Sequence, residues 1–192
     1  NAIKDVAKLQ AGEKVLVTGA GGGLGVHSIQ IAHSLGATVF AVTSSSEKIE
    51  RLKDLGVDEV LLNEDLDFNE LVMAFTGDDG VDVVVENIIG STFQSSFRSL
   101  GQFGRMVIVG AIGPEHISVN PAELIFRDTH IMGTGGASRQ QLKEVARLVE
   151  LGSIKPLVSQ SFGLDKVGEA YQHMRDRKTF GRVIVKPWQQ SY

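Results

Sequence analysis

The chain has 192 residues, of which 42% are hydrophobic, and a formal net charge of −4. That length fits one domain, or one domain with an appendage, and can bury roughly 70% of the surface its unfolded form exposes. The absence of cysteine excludes disulfides and thiolate metal ligands, no apolar run approaches the roughly 18 residues of a membrane helix, and the acidic balance lacks the clustered Lys and Arg of a nucleic-acid binder.

With no secretory leader in view, a cytoplasmic location is expected. Ile3, Val6 and Leu9, at three-residue spacing, predict a helix over residues 1–10 that is already under way at Asn1. The chain therefore reads as a piece of a longer polypeptide. From there short β-branched runs alternate with amphipathic stretches. Strands are predicted at 14–18, 38–42, 59–61, 81–86, 105–109 and 130–133. Between and after them, helices are predicted at 23–35, 47–55, 69–75, 92–100, 121–127 and 139–151. Runs such as Val83-Val84-Val85 and Met106-Val107-Ile108-Val109 are apolar throughout, as in strands buried on both faces of a parallel sheet. Alternating βα units imply an α/β fold: a doubly wound parallel six-stranded sheet with helices on both faces. Gly36, Gly56 and Gly152 each follow a leucine at a helix end, where a left-handed cap is wanted.

The pattern changes after Lys155-Pro156, where 157–162 reads as strand, 164–176 as helix and 182–186 as a last strand before a polar tail. Two readings stand: one more βαβ turn on the sheet edge, or a separate unit. The division expected is a dinucleotide-binding domain at 1–154 and a C-terminal segment at 155–192.

Thr18-Gly19-Ala20-Gly21-Gly22-Gly23-Leu24-Gly25 joins the first strand to the first helix. A dinucleotide fingerprint uses one glycine to turn, one to let backbone approach a pyrophosphate, and one to pack helix on strand. Ala20-x-Gly22-x-x-Gly25 fits with Ala in the first place, and Gly19-x-x-Gly22-x-x-Gly25 fits as a spaced variant. The N–H groups of Gly22, Gly23 and Leu24 would face the pyrophosphate at the positive end of the helix. A Walker-type loop is excluded, because no Lys-Ser/Thr pair follows the last glycine.

The end of the second strand should meet the ribose. Readers of NAD place a carboxylate there, whereas this chain has Thr43-Ser44-Ser45-Ser46-Glu47-Lys48, with Arg51 beyond. Hydroxyls and cations suit a 2′-phosphate, so NADP is favoured over NAD, with Ser44 and Lys48 as its readers. Ser44-x-x-Glu47 also has capping-box spacing for the next helix, and both roles can hold together.

Beyond the glycine turn, Leu35-Gly36-Ala37-Thr38-Val39, Gly80-Val81-Asp82-Val83-Val84-Val85, Gly104-Arg105-Met106-Val107-Ile108-Val109-Gly110 and Gly181-Arg182-Val183-Ile184-Val185 follow in order. With that ordering, over nearly its whole length, the chain resembles the medium-chain dehydrogenase/reductase superfamily, nearest its quinone-oxidoreductase and enoyl-reductase branch. The resemblance implies an NAD(P)H-dependent reductase of quinones, enones or acyl thioesters. It also implies a GroES-like substrate domain, absent from this chain, that the segment after residue 154 would rejoin. It puts Gly110 and Ala111, and Gly133 and Thr134, near the nicotinamide. It puts Asn87 near the adenosine or ribose, and Arg182 at the pyrophosphate. A homodimer through an edge strand is a family expectation.

The five histidines (His27, His33, His116, His130 and His173) show no ligand spacing, so no metal is expected within these residues. No general acid or base stands out, which suits hydride chemistry supplied by the cofactor. The alternatives are the cofactor domain of a zinc-dependent alcohol dehydrogenase, an enoyl-reductase domain of a larger acyl-assembly enzyme, and a nucleotide-binding module without chemistry.

Overall fold

A computed structural model describes residues 1–62, 65, 67–111 and 116–188. The acidic stretch 63–67, which reads in the sequence as a solvated loop and helix N-terminus, and the polar tail therefore lie partly outside the described residues. Strands β1 (Lys14–Val17), β2 (Thr38–Thr43), β3 (Glu59–Leu62), β4 (Val81–Glu86), β5 (Leu100–Ile108) and β6 (His130–Gly133) form one sheet in the order β3-β2-β1-β4-β5-β6. Every pairing within it is parallel. This is the doubly wound α/β sheet expected, and the order reverses between β1 and β4. The reversal parts the crossovers above those two strands and leaves a crevice at their carboxyl ends.

The apolar runs earn their burial on both faces. Val15, Val17, Val39, Ala41, Val83, Val85 and Val107 point into one core, which α1 (Gly25–Ser34) and α2 (Ile49–Lys53) cover. Leu16, Phe40, Val42, Val84 and Met106 point into the other, with Phe68, Val72, Phe93 and Phe97 from the α3 (Asn69–Thr76) and α4 (Phe93–Arg98) side. Period-two alternation along each strand sends neighbours to opposite faces, so an unbroken apolar run needs cover on both. Gly36, Gly56 and Gly152 have φ of +80°, +89° and +74°, so the left-handed caps form as read.

Departures from the predicted elements have local causes. The opening helix is a π-helix of five residues, Ala2–Val6, and ends before Lys8, whose φ is +51°. Strand β5 begins five residues earlier than predicted. Val81 pairs with Leu100 and Val83 with Arg105, so residues 101–104 loop out of register between two paired stretches, with Phe103 at φ +60°. Glycines flanking a turn hid the first paired residue. Ser44 caps no helix: the helical segment starts at Ser46 with Ser45 before it, Ser45 makes no side-chain cap, and Ser45 N–H donates to Thr43 Oγ1 at 3.2 Å. Two caps do form further on. Asn120 caps α5 (Pro121–Arg127), and Ser138 with Gln141 makes a capping box on α6 (Arg139–Glu150).

The last part is a βαβ unit of its own. Strands β7 (Val158–Gly163) and β8 (Arg182–Lys186) pair in parallel around α7 (Val167–Arg175) and do not extend the six-stranded sheet. The unit is tied to the main body at several points. Gln30 on α1 accepts from Lys155 N–H at 2.7 Å and donates to its carbonyl at 3.1 Å. Phe180, 3% exposed, enters the first core, and the Arg51 guanidinium lies 4.0 Å from the centre of its ring. No helix among the described residues is long and apolar enough to cross a membrane.

Candidate functional site

The turn after β1 resolves which glycine does what. Gly19 has φ +57° and Gly22 N–H donates to its carbonyl at 2.9 Å, so Gly19 makes the tight turn and the spaced reading of the fingerprint describes the backbone. Gly22 allows close approach: a Cβ there would stand 3.1 Å from the Gly19 oxygen. Gly25 opens α1 pressed on the turn itself, where a Cβ would meet the Gly19 carbonyl and come within 2.6 Å of the Ala20 oxygen. Among the described residues, neither Gly23 N–H nor Leu24 N–H makes a close hydrogen bond, although the parallel bridge of Gly22 with Gly181 sets Gly23 N–H toward the Gly181 carbonyl. Leu24 N–H is an orphan donor of the kind any helix start presents, at the positive end of its dipole.

Around this turn lies a cleft of about 880 Å³ at the reversal of strand order. Its walls include Ala20, Gly22, Gly23, Leu24, Gly25, Ser44, Lys48, Asn87 and Arg182, nine of the residues singled out in the sequence. Arg51, Arg177, Lys178 and Thr179 join them. Two cations lie over the glycines. A Cβ on Gly21 would come 2.8 Å from Lys48 Cδ, and one on Gly23 would come 2.9 Å from Arg182 Cζ. Lys48 Nζ donates to the Arg177 carbonyl at 2.9 Å. Partial burial, and then the charges of Arg51 and Arg177, lower the Lys48 pKa from its ordinary 10.5, with Glu47 pulling the other way. Beside Gly19, Asn87 Nδ2 donates to the Thr18 carbonyl at 2.8 Å, whereas its Oδ1 is buried with no partner among the described residues. Such an orphaned acceptor, next to the glycine cradle, fits a ligand that carries hydroxyl or amino donors and phosphates.

The remaining candidates lie elsewhere. A second cleft of about 860 Å³ shares Leu24 with the first and is lined by Ile3, Ile31, Val109, Thr134, Val145 and Leu148 among others. Thr134 N–H donates to Ile108 O at 3.1 Å, and its hydroxyl accepts from Asn1 Nδ2 at 2.9 Å. Gly110 follows β5, where a Cβ would approach the Asn87 carbonyl at 3.1 Å, and Ala111 comes next and is exposed. Gly133 closes β6 in open space. Gly110, Ala111 and Gly133 are not in the walls of either cleft. Sequence reading passed over Arg177, Lys178 and Thr179. Their one signal was the charged stretch Arg175-Asp176-Arg177-Lys178 shortly before Gly181, and the isolated bridge of Gly22 with Gly181 delivers it to the turn.

Residues 23–150 match the zinc-binding dehydrogenase family. The chain belongs to that family. Within it, this is a cofactor-binding domain of the medium-chain dehydrogenase/reductase superfamily, as the ordered motifs imply. An acryloyl-coenzyme A reductase from Sulfurisphaera tokodaii is 34% identical over 186 residues, 96% of this chain and 54% of that protein. Among solved structures, an NAD-dependent alcohol dehydrogenase superposes with a TM-score of 0.91 at 32% identity, covering 96% of this chain and 54% of that one. The mycobacterial protein Rv1454c, solved in complex with NADPH, gives 0.86 at 28%, covering 96% and 60%. The chain thus spans about half the length of the acryloyl-coenzyme A reductases it matches. Among the described residues of this zinc-binding dehydrogenase family member, no three His, Asp or Glu side chains converge to hold a metal ion.

Proposed function

We propose that this chain is the nicotinamide-dinucleotide-binding part of a cytoplasmic oxidoreductase that reduces an activated C=C or C=O bond of an enone, quinone or acyl thioester. The observation that carries the reading is the cradle of Gly19, Gly22 and Gly25 at the point where strand order reverses, with Leu24 N–H unpartnered at the start of α1 among the described residues. In that cradle the pyrophosphate would take the N–H groups of Gly23 and Leu24 and the Arg182 guanidinium, whereas Gly22 N–H, expected among these donors, is held by the Gly19 carbonyl. Asn87 would accept from the adenosine ribose. Thr134, with Val109 beside it in the apolar cleft, would serve the nicotinamide end, and Gly110, Ala111 and Gly133 would border it. The acryloyl-CoA reductase likeness supports an acyl thioester among the substrate classes. The cofactor supplies the hydride when bound, and the chain binds and orients it.

NADP is favoured over NAD. Five cations (Lys48, Arg51, Arg177, Lys178 and Arg182) and two carboxylates (Glu47 and Asp176) line the polar cleft, and Asp176 is paired with Lys178 at 3.1 Å. Ser44 and Lys48 would read the 2′-phosphate. The segment 155–192 would rejoin a substrate domain, a reading its separate sheet and the exposed Leu164, Tyr171 and Trp188 support. Two copies would pair along β6, whose outer edge has no neighbour in the sheet among the described residues and which follows the exposed Ile125 and Phe126.

Saturation-transfer NMR with NADPH tests the enzymatic reading against a module without chemistry. Transfer to the nicotinamide protons as well as to the adenine is expected, and adenosine contacts alone would contradict hydride transfer. The depressed Lys48 pKa adds a pH dependence with a definite sign. NADPH needs the charged ammonium, so affinity should be full near neutral pH and fall as pH rises through a value below 10.5. Lys48→Arg, which stays charged, should flatten the titrated profile, and a flat wild-type profile would remove Lys48 from the site.

A further inference from the structure

Glu86, the last residue of β4, is fully buried, and no cation pairs with it among the described residues. Its Oε1 accepts from Thr18 Oγ1 at 2.7 Å, Ile88 N–H at 2.8 Å, Ile89 N–H at 2.9 Å and Thr92 Oγ1 at 2.8 Å. Its Oε2 accepts from Ser96 Oγ at 2.5 Å. A buried carboxylate is costly unless donors surround it, and here they come from three places: the end of β1, the turn after β4 and the helix beyond. What the five bonds enforce is a conformation the chain would not choose. Ile89, β-branched and 6% exposed, has φ +69°, in the left-handed region that such residues avoid.

That turn is a wall of the nucleotide cleft. Thr18 Oγ1, which gives its proton to Glu86, accepts from Asn87 N–H at 2.9 Å, so the carboxylate fixes Asn87 through one intermediary. Asn87 Cβ and Ile88 Cγ1 in turn pack where a Cβ on Gly19 would be 3.4 Å away. The glycine turn and the turn after β4 are therefore held in register by one side chain that lines neither. We propose that Glu86 is a positioning residue of the nucleotide site, clamping residues 87–92 against Thr18 and Gly19 so that the unpartnered Asn87 Oδ1 meets the adenosine ribose. This rests on the nucleotide reading above.

The test is titration of NADPH and of adenosine 2′,5′-bisphosphate against the wild type, Glu86→Ala, Glu86→Gln and Thr18→Val, each checked by circular dichroism and melting. Glu86→Ala removes all five acceptor contacts and should weaken both ligands by about tenfold or more. Thr18→Val keeps the volume, cuts the hydroxyl link between Glu86 and Asn87 N–H while leaving the carbonyl that Asn87 Nδ2 uses, and should reproduce most of that loss should Glu86→Ala not fold. Glu86→Gln keeps one oxygen for the four donors on Oε1, lets the Ser96 hydroxyl turn to accept, and should bind within about threefold of the wild type. A residue that merely stabilises the fold would lower the melting point in all three variants and leave affinity in the folded protein unchanged. Folded Glu86→Ala or Thr18→Val with wild-type affinity overturns the proposal. A wild type that binds neither ligand overturns the nucleotide reading itself, and with it this role.

Discussion

Gly25→Ala is expected to abolish nucleotide binding, lowering NADPH affinity by at least about a hundredfold, although alanine is the better helix former by roughly 0.8–1.0 kcal/mol. Two effects oppose each other. Propensity rewards the methyl group, but a Cβ at this position meets the Gly19 carbonyl and stands 2.6 Å from the Ala20 oxygen and 2.7 Å from the Ala20 Cα. All three neighbours are backbone, so none can rotate away. Relief requires moving the start of α1 off the end of β1, which displaces the N–H groups meant for the pyrophosphate. Over-packing of this kind costs about 1–3 kcal/mol, which exceeds the helix gain, so a lower melting temperature should accompany the lost affinity. Gly168→Ala is the control: Gly168 lies within α7 with open space around it, and the same change should leave binding intact and stability level or slightly higher. Calorimetric titration with a thermal melt reads both, and a Gly25→Ala protein that binds NADPH normally would remove this turn from the site.

Lys48→Ala is the second large expectation. Lys48 lies across Gly21 between the serine run after β2 and the carbonyl of Arg177, beside the place a 2′-phosphate would take. A hydrogen bond to a charged partner contributes about 1.5–3 kcal/mol, and partial exposure of the ammonium draws that toward the lower end. NADPH affinity should therefore fall by about tenfold or somewhat more, with NADH changed by less than about threefold. An equal loss for both dinucleotides would assign Lys48 to the pyrophosphate instead. No loss for either would leave Glu47, which shares the cleft, free to bind a ribose hydroxyl and favour NAD.

The parts of this molecule that could be read from its sequence are those governed by short-range rules. Val83-Val84-Val85 is buried on both sides because each residue faces the side opposite its neighbour, and a reader of the sequence needs nothing more. Gly36, Gly56 and Gly152 announce helix ends because a left-handed cap is a one-residue requirement. The glycine turn was legible as a motif, although only the φ of Gly19 distinguishes the spaced alignment from the one led by Ala20. Distant contacts were not legible. Ser44 has the spacing of a helix cap and does not act as one, because the Thr43 hydroxyl takes the Ser45 N–H and the helical segment starts later.

Arg177 and Lys178 reach the cleft because Gly181 N–H donates to Gly21 O at 3.0 Å and Phe180 fills a gap in the first core, contacts across some 130 or more positions of sequence that carry no period. Glu86 was read as the end of a strand. That a carboxylate there gathers five donors from Thr18, Ile88, Ile89, Thr92 and Ser96 depends on β1 and β4 being neighbours, which is a property of the topology alone.

The central claim is that the backbone amides following Gly19 receive a pyrophosphate. Amide chemical shifts of the isotopically labelled protein during NADPH titration address it most directly. The expected result is large, saturable movement of the Gly23 and Leu24 N–H signals, together with the Asn87 side-chain amide. Saturable binding that leaves those two backbone signals in place, while signals elsewhere move, would contradict the account.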